Sequence, residues 1–182
     1  MSNVSTSAGK TRFLVLSGVI AALYAALTYA AAALNLAYGP VQFRFSEALT
    51  VLPAFTPAAV PGLAVGCFLS NLASPLGVVD WVFGTGATLL AALGTWAVSR
   101  VCYKGVPVLA PVPPVIANAL IVGLEVSCLS ESGAFSWGAF SPAAFAAGAL
   151  SVGLGELVVC FALGLPLAVA LEKTGAAKML RA

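Results

Sequence analysis

The chain has 182 residues, 61% of them hydrophobic and 8% charged, with a net charge of +2. Soluble domains carry about 25% charged residues, so this composition lacks a water-facing surface and points to an integral membrane protein. At roughly 20 residues per span, the length suits one membrane domain of five or six helices and leaves no polar segment for an ATPase, protease or receptor domain.

In chain order, Met1–Lys10 (MSNVSTSAGK) is small and polar and precedes a long apolar run. More hydrophobic segments follow instead of a polar mature sequence, so the run reads as a permanent span, not a cleaved signal. Five apolar regions stand out, at 13–34, 46–74, 80–101, 113–130 and 142–171. Basic residues flank them in three clusters: Lys10 and Arg12, Arg100 and Lys104, then Lys173, Lys178 and Arg181. Cytoplasmic loops collect Lys and Arg, so the clusters are expected on one side of the membrane. That condition holds only if 46–74 crosses twice.

As one straight helix, 46–74 would run about 44 Å, too long for one span and too short for two full ones. It contains Pro53, Pro57 and Pro61. Proline forces the preceding residue out of the helical region. A pair of short helices, 46–56 and 58–74, is therefore expected to turn near Thr56-Pro57; one kinked, tilted span is the alternative. The expected fold is all-α, with six transmembrane helices, short helices 2 and 3 and both termini cytoplasmic. Residues 13–171 form a single bundle, and 1–12 and 172–182 are tails. No internal repeat is evident, which argues against carriers built from inverted halves.

Polar groups inside spans mark candidate sites because hydrocarbon offers them no partner. On the expected topology the outward loops are 35–45, 75–79 and 131–141. Glu47 lies near the outer mouth, Asn71 in the outer part of the third helix, and Asp80 and Trp81 at the start of the fourth. Asn118 and Glu125 are seven apart and share one face of the fifth helix. Glu156 lies midway along the sixth. The loops add Tyr38, Gln42, Arg44, Trp137 and Phe140. Carboxylates, amides and aromatics thus gather in the outer half, as around a pocket opening outward.

Each residue also has a plain reading. Arg44 and Glu47, spaced i,i+3, either pair with each other or hold a ligand. Asp80 either caps the fourth helix or binds. Trp81 and Trp137 are either interfacial anchors or stacking platforms. Asn71 and Asn118 serve equally as interhelical glue, and Glu131 reads as a solvated loop charge. Glu125 and Glu156 have the weakest plain reading, since a lone carboxylate in a span needs a partner, a proton or a ligand. There is no histidine. Cys67, Cys102, Cys128 and Cys160 lack metal spacing. Neither GxSxG nor a phosphate-binding glycine loop occurs. The chain therefore reads as a binder, not an enzyme. On the first helix, Ala21, Ala22, Ala25, Ala26 and Ala30 give Ala-x-x-x-Ala spacings that admit close approach by another helix, inside the bundle or from a partner; Gly62 and Gly66 form a similar patch.

The segment QFRFSEALTVLPAFTPAAVPGL (Gln42 to Leu63), with VDWVFGTGATLLAA (79–92) and LAPVPPVIANALIVGLE (109–125), resembles the QueT family over roughly 13–171. These are substrate-binding subunits (S components) of energy-coupling factor (ECF) transporters, assigned to queuosine precursors. The resemblance implies a six-helix, multi-pass subunit of the bacterial cytoplasmic membrane that captures a 7-deazaguanine base or queuine from outside. It implies docking, through Ala22, Ala26 and Ala30, on a transmembrane coupling subunit carried by two ATPases. This chain would hold no cofactor, and ATP would be consumed in the partners. It also implies release by toppling of the whole subunit. Candidate ligand contacts are Tyr38, Gln42, Arg44, Glu47, Asn71, Asp80, Trp81, Glu125 and Trp137. Carboxylates would accept ring and exocyclic N–H groups, aromatics would stack, and amides or Arg44 would meet the carbonyl oxygen. An aminomethyl group would need a second acid, Asp80 or Glu156. A stand-alone proton- or ion-coupled carrier using Glu125 and Glu156, an S component for another heterocyclic vitamin, and a ligand-free membrane scaffold are the alternatives.

Overall fold

A computed structural model of the chain describes residues 2–37, 43–130 and 133–181, and the described residues are predominantly helical. Helix α1 (Ser2–Ala33) is followed by a 3₁₀ helix (Phe45–Ala54), α2 (Ala59–Asn71), α3 (Val78–Val98) and α4 (Val112–Ser127). A short 3₁₀ turn (Trp137–Ala139) leads to α5 (Pro142–Val159). A π-helical turn (Cys160–Gly164) then joins α5 to α6 (Leu165–Thr174), and α7 (Ala176–Arg181) closes the chain. Among the described residues, three stretches are long and apolar enough to cross a membrane: Ser7–Ala33, Val78–Val98 and Pro142–Thr174. Helices α2 and α4 are shorter but apolar.

The expected doubling of 46–74 is present. The 3₁₀ helix ends at Ala54, and the backbone N–H groups of Phe55 and Thr56 both donate to the Leu52 carbonyl, at 2.8 and 3.0 Å. Pro57 follows, and α2 starts two residues later. The first arm is a 3₁₀ helix, not an α-helix. Ten residues is long for this geometry, which makes poorer hydrogen bonds than the α form. Ser46 through Pro53 are all buried, so packing on every side offsets the weaker ladder. The Thr50 hydroxyl also bonds the Glu47 carbonyl at 2.5 Å.

Helix α1 starts well before the expected position 13; its polar N-terminal residues contain no proline, and extending a formed helix is cheap. Helix α2 lies directly on it. A Cβ at Gly62 would meet the Ser17 carbonyl at 2.8 Å, and one at Gly66 the Ala21 carbonyl at 2.7 Å. The Gly62/Gly66 patch is therefore spent inside the bundle. Helices α4 and α5 touch in the same way, since a Cβ at Gly123 would lie 2.7 Å from the Ala149 Cα. The π turn precedes Pro166. Proline has no N–H to give and its ring crowds the carbonyl four residues back, so the ladder reorganises there.

The burial pattern is inverted relative to a soluble protein. Leu14, Val82, Leu150 and Leu154 are each more than 60% exposed, while Ser46, Glu47, Thr50, Asn71, Asp80, Asn118, Glu125 and Glu156 are buried. An apolar exterior around a polar interior suits hydrocarbon, not water. The three basic clusters meet at one end. Arg12 donates to the Met179 carbonyl, Arg181 pairs with Glu172 at 2.5 Å and covers the Phe55 ring, and Lys104 and Lys173 line a common groove.

Candidate functional site

The other end of the bundle gathers the acids. Helix α3 carries Asp80 in its first turn and is followed by Arg100. Some twenty residues at 1.5 Å rise put about 30 Å between these ends. Near Asp80 lie Arg44, just ahead of the 3₁₀ helix, Asn71 from the last turn of α2 and Glu125 from α4. Glu47 from the 3₁₀ helix, Asn118 from α4 and Glu156 from α5 form an adjoining group within reach of Arg44.

Arg44 forms an ion pair with Asp80, Nη2 to Oδ2 at 3.6 Å, and its Nε donates to the Ala37 carbonyl at 3.2 Å. Its backbone is extended (φ −82°, ψ 106°), so the helical i,i+3 geometry that would aim it at Glu47 does not apply. Glu47 instead accepts a hydrogen bond from the Tyr24 hydroxyl on α1. Arg44 remains close enough to act electrostatically on Glu47, Glu125 and Glu156 as well. Asp80 is not a helix cap. Gly77 holds that position with no side-chain hydrogen bond, and the Asp80 carboxylate turns inward to Arg44.

Asn71 donates from Nδ2 to the Asp80 carbonyl at 2.9 Å. Trp81 is only part-buried, and its indole N–H donates to the Asn71 carbonyl at 2.8 Å, while its ring meets Phe68 edge-on. These bonds pin the end of α2 to the start of α3. Cys67 accepts from Thr88 at 3.2 Å. The Cys160 thiol faces Glu156 at 3.6 Å.

Among the described residues, several buried polar atoms in this cluster lack a hydrogen-bond partner. They are Glu47 Oε2, Asn71 Oδ1, Asp80 Oδ1, Asn118 Nδ2 and both oxygens of Glu125. Buried polar groups are ordinarily satisfied. Most of these orphans are acceptors, the chemical complement of a group rich in N–H donors. Gly84 lets Asn71 and Asp80 lie close against α3, since a Cβ there would stand 2.5 Å from Asn71 Nδ2 and 2.6 Å from Asp80 Oδ1.

Of the residues proposed from sequence, Arg44, Glu47, Asn71, Asp80 and Glu125 come together here, with Trp81 alongside. Trp137 stands apart: it is 65% exposed and packs with Phe135 and Phe83. Tyr38, Gln42 and Glu131 lie outside the described residues. Ala22, Ala26 and Ala30 are exposed along one face of α1, while Ala21, Tyr24, Thr28 and Ala31 on the opposite face are buried. Asn118 and Glu156 are buried in the same cluster, with the Asn118 side chain within reach of both Glu47 and Glu156. Sequence reasoning missed Tyr24, Cys67 and Cys160, whose apolar surroundings disguised them. The spacing of Tyr24 and Thr28, one helical turn apart and both able to donate, was the available signal.

The fold and cluster thus define a helical membrane protein built around a buried, acceptor-rich polar centre. A family model described as QueT transporter matches residues 14–173. The chain belongs to this family, as the resemblance in the 42–63 segment implied, and it is a transporter-family protein, not an enzyme. It is similar to the queuosine precursor transporter QueT of Lactococcus lactis subsp. cremoris (strain MG1363), with 33% identity over 91 residues. That match takes in 50% of this chain and 54% of the relative, so it spans about half of the relative's length. No solved structure matches.

Proposed function

We propose that the chain is the substrate-binding S component of an ECF-type importer, a multi-pass protein of the bacterial cytoplasmic membrane that takes up a queuosine precursor. The observation that carries this reading is the set of unpartnered acceptors on Glu47, Asn71, Asp80 and Glu125, buried at one end of an apolar bundle. A 7-deazaguanine presents N–H donors along its ring edge and exocyclic amine, and carboxylates accept these in charge-assisted bonds. Its carbonyl oxygen needs a donor, which Asn118 Nδ2 and the Arg44 guanidinium supply. The acid-rich end faces outward and the basic end inward, in keeping with the positive-inside rule.

The chain carries no nucleotide-binding motif of its own, so energy enters through partners: a transmembrane coupling subunit and two ATPases that consume ATP. The exposed stripe of Ala22, Ala26 and Ala30 is the docking face, where small side chains let another helix approach closely. Enlarging it with Ala26→Leu should abolish uptake while leaving deazaguanine binding by the purified chain unchanged.

The decisive measurement is uptake of labelled 7-deazaguanines by cells expressing the chain with and without a coupling module. Uptake only with the module supports the proposal. Uptake into liposomes holding this chain alone, driven by a pH gradient, would overturn it in favour of a proton-coupled carrier working through Glu125 and Glu156. A thermal shift with riboflavin, thiamine, biotin or folate but none with deazaguanines would leave the class standing and refute the substrate.

A further inference from the structure

The buried cluster is unbalanced in charge. Glu47, Asp80, Glu125 and Glu156 are each 5% exposed or less, and the guanidinium among them is that of Arg44. The sequence has eight Lys and Arg residues in all. The other seven (Lys10, Arg12, Arg100, Lys104, Lys173, Lys178 and Arg181) are exposed, and they belong to the three clusters gathered at the opposite end. None of the residues outside the described ranges is basic. Four carboxyl groups therefore face one fixed cation in a low-dielectric interior, where uncompensated charge is expensive.

The imbalance has a location. Arg44 is committed to Asp80, Glu47 holds the Tyr24 hydroxyl, and Glu156 faces the Cys160 thiol. Glu125 is 1% exposed, and among the described residues neither of its oxygens has a partner. It lies within electrostatic reach of Asp80, whose Oδ1 is also unpartnered. Two acids within electrostatic reach of each other, carrying three unpartnered oxygens, complement a group that brings positive charge and several N–H donors at once. A neutral ring edge brings donors only.

We infer that Glu125, with Asp80 within electrostatic reach, is the subsite for a protonated amine on the ligand, so that the chain selects a cationic, amine-bearing heterocycle over its neutral counterpart. The inference deepens the proposed function and rests on it. Among 7-deazaguanines it distinguishes the 7-aminomethyl base, whose ammonium offers three donors and a charge, from the 7-cyano base, whose nitrile offers only an acceptor.

The test is equilibrium binding of these two bases to the purified full-length chain. The aminomethyl base should bind about tenfold more tightly or better, the return expected of a charge-assisted hydrogen bond in a buried site. Glu125→Gln, which keeps the shape but removes the charge, should bring the two affinities within about threefold of each other. Equal affinities in the native chain, or tighter binding of the cyano base, would overturn the inference while leaving deazaguanine capture intact. Full preference retained in Glu125→Gln would remove Glu125 from the role. Failure of both bases to bind would instead refute the proposed function, and this inference with it. Should Glu125→Gln fail to fold, the comparison in the native chain still decides the charge preference.

Discussion

Tyr24 is the side chain on which the candidate site leans most. It is fully buried on α1, and its hydroxyl holds one oxygen of Glu47. Tyr24→Phe would leave that carboxylate oxygen buried without a donor, at a cost of about 1–3 kcal/mol. Thermal unfolding of the ligand-free protein should register the loss, and binding of 7-aminomethyl-7-deazaguanine should weaken with it. A loss of stability with binding intact would mean that Glu47 serves packing alone. Gly84 tests the close packing of Asn71 and Asp80 against α3. Gly84→Ala would push a methyl to 2.5 Å from Asn71 Nδ2 and 2.6 Å from Asp80 Oδ1, and should cut affinity more than tenfold. Gly86→Ala on the same helix meets nothing within 4 Å. It should leave binding unchanged and gain up to about 1 kcal/mol in helix propensity. From sequence, Glu125 was visible as a carboxylate with no plain explanation, whereas Asp80 looked like a cap. The difference lies in Arg44, whose ion pair with Asp80 crosses 36 positions and leaves no local signal.

Among the elements, the hairpin of the 3₁₀ helix and α2 positions the site. It is fastened to α1 at several heights. Ser17 donates to the Ala58 carbonyl at 2.9 Å, Thr28 to Ser46 Oγ at 2.7 Å, and Tyr29 to the Leu69 carbonyl at 2.8 Å. The glycine face of α2 lets the backbones meet. Gly66→Leu would drive its Cβ to within 2.7 Å of the Ala21 carbonyl and the Tyr24 Cβ. Overpacking of this kind costs about 1–3 kcal/mol. The same shift would tilt Tyr24 away from Glu47, so binding should fail along with stability. Gly9→Leu, with no neighbour within 4 Å, is the control and should do neither. The three prolines and the length of 46–74 foretold the turn. They did not foretell that the first arm would be a 3₁₀ helix, because that follows from burial on all sides and not from local preference.

For the whole molecule, the separation of basic and acidic ends gives a sidedness test. Cys102 is native, exposed and at the basic end, whereas Cys67, Cys128 and Cys160 are buried. Ala134→Cys places an exposed thiol in the loop between α4 and α5, at the other end. A membrane-impermeant maleimide should label this introduced thiol in intact cells and reach Cys102 only after permeabilisation. The reverse pattern would invert the bundle and turn the polar cluster toward the cytoplasm. Composition, the apolar runs and the clustering of Lys and Arg were enough to specify a helical membrane protein with a doubled-back second segment, because bilayer insertion is governed by hydropathy and charge summed along the chain. Which carboxylate pairs with Arg44, which is left without a partner, and which alanines face outward were decided only by tertiary structure. Those outcomes depend on the rotation and mutual approach of helices far apart in sequence, set by glycine contacts and cross-helix hydrogen bonds that no local pattern encodes.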